Sequence, residues 1–504
     1  MPERPHAISA THSTGAHRNG LWMDMGISLL VFAIALAVYL EQSRHLTRPE
    51  YRSRTDRSFL LGGDEPWYLL STRSIALHRD YNFYPDLEEH GTLEFWNRDL
   101  TPSKYGYQRN LKLGRGEAAT PEFWDQKRYP IVRIGLPILL APAYRAGLAW
   151  DGRVRLLCVW CLCFIGALLV QQMFLAGYEL TRNRMAALAG ALAGGFSVPI
   201  LLYTTQIYTE LPAALLLMFA ARMLFTAAGL PVWRALGTGL AVAALPWLHD
   251  KYYLLAALLI TAGVVQWRHA PRFAIAALLT PVLATLSLQG AYYYSLHRVI
   301  YPVTDHGALS IKTGICHGWL GLLVDRTDGL FVYWPAALVA IGGLAILWHT
   351  HRKIGGWLTT LVATHWLAVG LFPVWTGGPV APLRYWLPVI PLLVLASTVA
   401  LACVRKRIFL AIMLLCMVLS MRIGFYNSAH PRRWFGNALP LASTQPRIEQ
   451  GLTGIWHLFP DMQKTTDRDY VKGMLWVLIL GSASFVLGRQ GRNRTGQDHG
   501  PIPG

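Results

Sequence analysis

The sequence predicts an all-α polytopic membrane protein of about twelve transmembrane helices, with outer-face loops carrying short interfacial helices. Three observations predict it. Of 504 residues, 53% are hydrophobic and only 15% charged, too apolar for a soluble chain of this length. Apolar runs recur at 21–40, 156–178, 185–203, 208–228, 233–248, 252–267, 273–293, 330–348, 355–374, 385–404, 408–424 and 472–488. Basic residues, finally, gather in alternate turns: Arg182 and Arg184, Arg234, Arg268 and Arg272, Arg352 and Lys353, Arg405 to Arg407, then Arg489, Arg492 and Arg494. The intervening turns "TTQIYTE", "HDK" and "TGGPVAPLR" are poor in Lys and Arg, which is the positive-inside pattern and fixes the orientation.

Taken in order, residues 1–20 form a short basic tail placed in the cytoplasm, and 21–40 is long enough to span and carries no small-residue cleavage site. A transmembrane module then runs over 21–424 and includes a large outer loop at 41–155. Within that loop "PIVRIGLPILLAPAYRAGLAW" is apolar but broken by Arg133, Pro137, Pro142 and Arg145; a crossing here would move every later basic turn outside, so it reads as a helix in or near the outer interface, with a broken crossing as the alternative if the later count is off by one. Further outer segments fall near 294–329 and at 425–471, before a last span and cytoplasmic tail over 472–504. The expected location is the plasma (inner) membrane, multi-pass, with both termini cytoplasmic.

The charge of +18 raises nucleic acid as a partner, but the basic residues punctuate apolar runs instead of striping a polar domain, which argues against it. Six cysteines make no disulfide framework, and "CVWCLC" has no His or acid beside it to complete a metal site.

Four short stretches carry ionisable groups to the outer face. In "LGGDEPWYLLSTRSIALHRDYNFYPD", Asp64 and Glu65 precede a helix whose first turn holds Pro66, so either acid suits the N-cap; two adjacent acids exceed what capping needs. In "YTTQIYTELP", Glu210 sits in a short outer turn with Tyr208 and Thr209. "LPWLHDKYYLL" places His249, Asp250 and Lys251 between two spans, where mid-bilayer charges would each cost about 2.5–3.5 kcal/mol, so they belong at the interface or in a wet cavity. The ordinary alternative there is a solvated turn with Asp250 and Lys251 paired. In "VWTGGPVAPLRYWLPVIPLL", Gly377 and Gly378 permit close backbone approach and Arg384, beside Tyr385, opens the next span as an anchor or an anion holder. Lys127 and Arg128 in "DQKRYP" are further candidates for a phosphate. The aromatics Trp67, Tyr68, Tyr81, Phe83 and Tyr84 read mostly as an interfacial belt.

Acids and cations delivered to one membrane face suit a particular chemistry. A sugar on a polyprenyl phosphate presents an isoprenoid, an anionic phosphate and an anomeric carbon just outside the bilayer. Transfer to a hydroxyl requires a general base, here Asp64 or Glu65, and positive charge at the departing phosphate, here Arg384 and Lys251, with Lys127 and Arg128 in reach from the first loop. The rival class is a transporter or lipid flippase, against which stand the absence of an inverted repeat and the gathering of charges on one face.

The pieces "GGDEPWYLLSTRSIA", "GLPILLAPAY", "QIYTELPAALLL", "LPWLHDKYYLL", "DGLFVYWPAAL" and "GGPVAPLRYWLPVIPLL", spread over 60–395, resemble the GT-C class of integral-membrane glycosyltransferases, which includes protein O-mannosyltransferases, bacterial aminoarabinose transferases and oligosaccharyltransferase catalytic subunits. The resemblance implies an inverting hexosyl- or pentosyltransferase of the cell envelope with a lipid-phosphate-sugar donor and a lipid, polysaccharide or protein acceptor. By position it makes Asp64 similar to the catalytic acid, with Glu65 its neighbour, and Glu210 similar to an acid that some members use at a divalent metal. This chain has one acid in that turn, not two, so a Mg or Mn ion at Asp64 and Glu210 is left open.

Overall fold

The computed structural model describes residues 13–44, 63–95, 132–227, 230–301, 309–378, 380–430, 458–463 and 466–492, and every regular element among them is helical. The longer helices are α1 (Ser13–Ser43), α2 (Glu65–Leu77), α3 (Gly135–Ala149), α4 (Val154–Thr181), α5 (Arg184–Gly195), α6 (Glu210–Phe225) and α7 (Pro231–Leu248), followed by α8 (Tyr253–Trp267), α9 (Arg272–His297), α10 (Ala337–Thr350), α11 (Arg352–Gly370), α12 (Ile390–Cys403), α13 (Arg407–Ala429) and α14 (Asp467–Arg492).

Among the described residues, four helical stretches are long and apolar enough to cross a membrane: Met23–Ser43, Val154–Thr181, Arg272–Leu296 and Arg407–Ala429. The expected count of twelve is therefore not what helix length yields. The reason is local. The apolar run at 185–203 is helical over only 12 residues in α5, about 18 Å of rise against a hydrocarbon core of about 30 Å. It breaks after Gly194 and Gly195, and the chain resumes as the short helix Ile200–Tyr203. The segment expected at the interface is the 15-residue α3, which packs on α2 and α4.

α4 is the hub, contacting α1, α3, α5, α6 and α12. Small residues on facing helices permit that closeness: a Cβ on Gly177 or Gly190 would meet Thr398 of α12 at 3.0 and 2.2 Å, and one on Gly166 would meet Thr204 at 2.8 Å. Cys158 and Cys163 are buried members of this core in no disulfide, and the Cys163 thiol donates to the Thr204 carbonyl at 3.6 Å.

The described part of the first loop is organised around Arg73 of α2. Its guanidinium reaches Asp86 Oδ1 at 2.7 Å, Glu89 Oε2 at 3.0 Å and Glu94 Oε1 at 3.0 Å, while Tyr144 of α3 donates to Glu94 Oε2 at 2.5 Å. Asp86 is fully buried, and burial pushes its carboxyl up to about 6 despite Arg73 beside it. Removing one partner of a buried ion pair typically costs about 3–5 kcal/mol. Arg73→Met therefore destabilises the protein by that order, read as a lowered detergent melting temperature; an unchanged midpoint would contradict the role given to this residue. Tyr68 and Tyr81, expected in an aromatic belt, are instead buried packing residues at 2% and 7% exposure.

Asp325 does not pair with the neighbouring Arg326. Its Oδ1 accepts from the backbone N–H of Thr327 and Asp328, and its Oδ2 accepts from Met462 N–H at 2.7 Å, while Arg326 pairs with Asp461. The turn at 325–328 is thus the dock for the 460–463 strip.

Candidate active site

Asp64 stands at the N-cap of α2 with φ −90° and ψ −4°, but its side chain makes no capping hydrogen bond. A capping hydrogen bond is therefore not what holds its carboxylate. Its Oδ2 instead accepts from Arg384 Nη2 at 3.0 Å, across 320 residues of sequence. Arg384 Nε donates to Glu210 Oε1 at 2.7 Å, and Lys251 Nζ reaches the same oxygen at 2.6 Å. Four sequence candidates from four separate segments therefore form one chain of charge: Asp64, Arg384, Glu210, Lys251.

Burial grades along this chain. The Asp64 side chain is 45% exposed, whereas those of Arg384, Lys251 and Glu210 are 7%, 3% and 0% exposed. No described residue donates to Asp64 Oδ1, so one carboxylate oxygen is turned to the open side. Behind it the charges alternate in a protein interior, where each holds the next in place.

Backbone geometry explains how Arg384 gets there. Leu383 is held at φ +61°, a conformation that a branched L-residue adopts only when its surroundings enforce it. Gly377, at φ +83°, brings its carbonyl to Arg384 Nη1 at 3.1 Å, and a Cβ at Gly377 would lie 3.1 Å from Arg384 Cβ. Tyr203 fastens the same loop by donating to Ala381 O at 2.7 Å.

Glu65 takes a different part from Asp64. It is fully buried, and its Oε1 accepts the Ile207 N–H at 2.7 Å with Arg155 at 3.9 Å. Its carboxylate ties α2 to the 206–210 turn. Asp250 turns away from Lys251 and pairs with Arg133 through both carboxylate oxygens, Nε to Oδ1 at 2.8 Å, which pins the strip before α3 to the turn after α7. His249 Nδ1 accepts the Lys251 N–H at 3.2 Å and so shapes that turn. The Tyr385 ring lies 4.8 Å from Lys251 Nζ, and its carbonyl accepts from His365 Nε2 at 2.6 Å. Lys127 and Arg128 lie outside the described residues.

Sequence reasoning missed Arg133, His365 and the part played by Tyr208. The only signal for the first two was a charge or imidazole within a largely apolar stretch.

The donor set does not fit a divalent ion as it stands. Glu210 Oε1 is taken by two cations and Asp64 Oδ2 by one of them, and no group of three metal-binding side chains occurs among the described residues. Arg384 stands between the two acids, bonded to one oxygen of each.

Lys251 gives a pH signature. Burial pulls its ammonium from an ordinary 10.5 down to about 8, with Glu210 opposing that shift and Arg384 adding to it. Between about pH 8 and 10.5 the unfolded chain holds this proton and the folded one does not, so from this group alone stability rises with pH over that window. The site behaves oppositely: above about pH 8, Glu210 is left facing Arg384 without its second cation. Activity of the purified protein is expected to turn down above pH 8, and Lys251→Met should flatten that limb. A flat wild-type profile from pH 7 to 9.5 would count against it.

Comparison with known proteins adds one likeness. No family model and no curated protein matches the chain. Among solved structures it is similar to the crystal structure of the Archaeoglobus fulgidus oligosaccharyltransferase in the apo form, at 12% sequence identity and a TM-score of 0.43. The match covers 80% of this chain and 56% of that one, so the chain spans little over half the length of the archaeal enzyme.

Proposed function

We propose that this protein is a membrane glycosyltransferase that moves a hexosyl or pentosyl unit from a polyprenyl-phosphate donor to an acceptor hydroxyl at the outer face. The observation that carries the reading is the exposed Asp64 carboxylate fixed 3.0 Å from a buried, doubly anchored Arg384. A part-exposed base and a buried cation able to meet an anion stand side by side in an otherwise apolar helical body. The sequence resemblance to GT-C enzymes points the same way.

In this reading Asp64 Oδ1 takes the proton from the acceptor O–H. The freed electron pair forms a new C–O bond at the anomeric carbon, on the face opposite the lipid phosphate. The old anomeric C–O bond breaks, and its electrons leave on the phosphate oxygen, with inversion. Arg384 meets the charge growing there, since its guanidinium has N–H groups beyond those given to Asp64, Glu210 and Gly377. Lys251, nearly sealed from solvent, acts at one remove by holding Glu210 against Arg384. Glu65 is a framework acid of the same site.

The experiment is transfer by purified, liposome-reconstituted protein from a panel of polyprenyl-phosphate pentoses and hexoses to lipid, glycan and peptide acceptors, with Asp64→Asn alongside. Loss of donor turnover in the variant is expected. Turnover that ignores the substitution would end this assignment of the base, and no turnover with any donor would end the glycosyl-transfer reading.

A further inference from the structure

Tyr208 touches more of the site than any role as a core aromatic requires. Its hydroxyl accepts the backbone N–H of Asp64 at 3.2 Å. Its ring lies under Arg384, with Cζ 4.4 Å from the centroid. The Gly63 backbone lies so close that a Cβ there would stand 2.6 Å from the same hydroxyl, and Gly63 is at φ +49°, where side chains are strained in any case. The ring itself is immobilised: it is fully buried and set edge-on to Tyr68 at 6.2 Å and to Tyr203 at 5.8 Å. Two residues further on the same turn stands Glu210, and one residue before it Ile207, whose N–H is bound by Glu65.

We infer that Tyr208 is the positioning residue of the site, one side chain setting both the base and the cation. Its hydroxyl fixes the backbone from which the Asp64 carboxylate projects, and its face fixes the plane of the guanidinium that pairs with that carboxylate. The two restraints are separable, because a phenyl ring keeps the second and loses the first. Neither involves contact with substrate. The inference rests on the glycosyl-transfer reading and deepens it: the hydroxyl governs the base and so the chemical step, whereas the ring governs Arg384 and so the hold on the donor phosphate.

The test is a split of kinetic constants. Tyr208→Phe removes one neutral hydrogen bond, and kcat is expected to fall on the order of threefold to tenfold with donor KM unchanged. Tyr208→Leu removes the ring face as well, and donor KM should then rise severalfold in addition. A merely structural tyrosine would lower the melting temperature in both variants and leave kcat and KM at wild-type values, which would overturn the inference. A double-mutant cycle with Gly63→Ala supplies a readout that needs no donor. The oxygen that the new methyl would strike is absent in Tyr208→Phe, so the melting loss from Gly63→Ala should be smaller in that background than in wild type. Additive losses would show that the hydroxyl does not hold the loop, and would overturn the inference whether or not any donor is turned over. If the wild type transfers no sugar, the glycosyl-transfer reading fails, and non-additivity in the cycle would still support Tyr208 as the residue that sets the Asp64 loop.

Discussion

Asp64→Asn is expected to lower transfer by about 10² to 10⁴-fold while leaving the protein folded, the range that a positioned general base contributes. The amide is isosteric, so its Oδ1 can stand where the carboxylate oxygen stood and accept from Arg384, and the half-exposed position tolerates the neutral group. What is lost is the capacity to take a proton. Donor KM should change little, because Arg384 keeps Glu210 and the Gly377 carbonyl. Glu65→Gln is the matched control: its buried oxygen can still accept the Ile207 N–H but loses its charge opposite Arg155, so the expected loss is in melting temperature more than in kcat. Equal collapse of kcat in both variants would remove the distinction drawn between the two acids, and full activity in Asp64→Asn would remove the base altogether.

Parts of this arrangement are legible in the sequence for identifiable reasons. The acidic pair stands out because charge at a membrane edge is costly and capping accounts for one acid, not two. Glu210, Lys251 and Arg384 stand out because each interrupts an apolar stretch at a turn that topology assigns to one face. What the sequence does not carry is which group faces which. Nothing local says that Asp250 turns to Arg133, 117 residues away, and leaves Lys251 to Glu210, because side-chain direction at a tight turn is set by tertiary packing. Tyr208 is silent for a similar reason: a tyrosine in an apolar turn looks like any interfacial aromatic until its hydroxyl is seen against Gly63. The count of twelve spans is left unconfirmed for a different reason. Hydropathy measures how apolar a run is, not how long it stays helical, and Gly194 and Gly195 end α5 inside an unbroken apolar stretch.

Glu210→Ala is expected to be the most damaging single change for the fold of the site. Glu210 is fully buried and is the shared acceptor for two nearly buried cations, and the buried case allows no water to replace it. Removing it leaves Arg384 and Lys251 facing each other without an anion between them, and a broken buried pair typically costs about 3–5 kcal/mol. Lys251 has an escape, because its already lowered ammonium can give up its proton; Arg384 cannot, so it must swing toward Asp64 or the opening. The double variant Glu210→Gln with Lys251→Met should therefore recover much of the stability by removing one buried charge of each sign, while activity stays low because the amide oxygen that still accepts from Arg384 Nε no longer carries the charge that holds the guanidinium. Melting midpoints and transfer rates of the single and double variants separate these effects. Were Glu210 instead a ligand of an essential divalent ion, chelation would abolish wild-type activity, added metal would restore it, and Lys251→Met alone would not weaken the site.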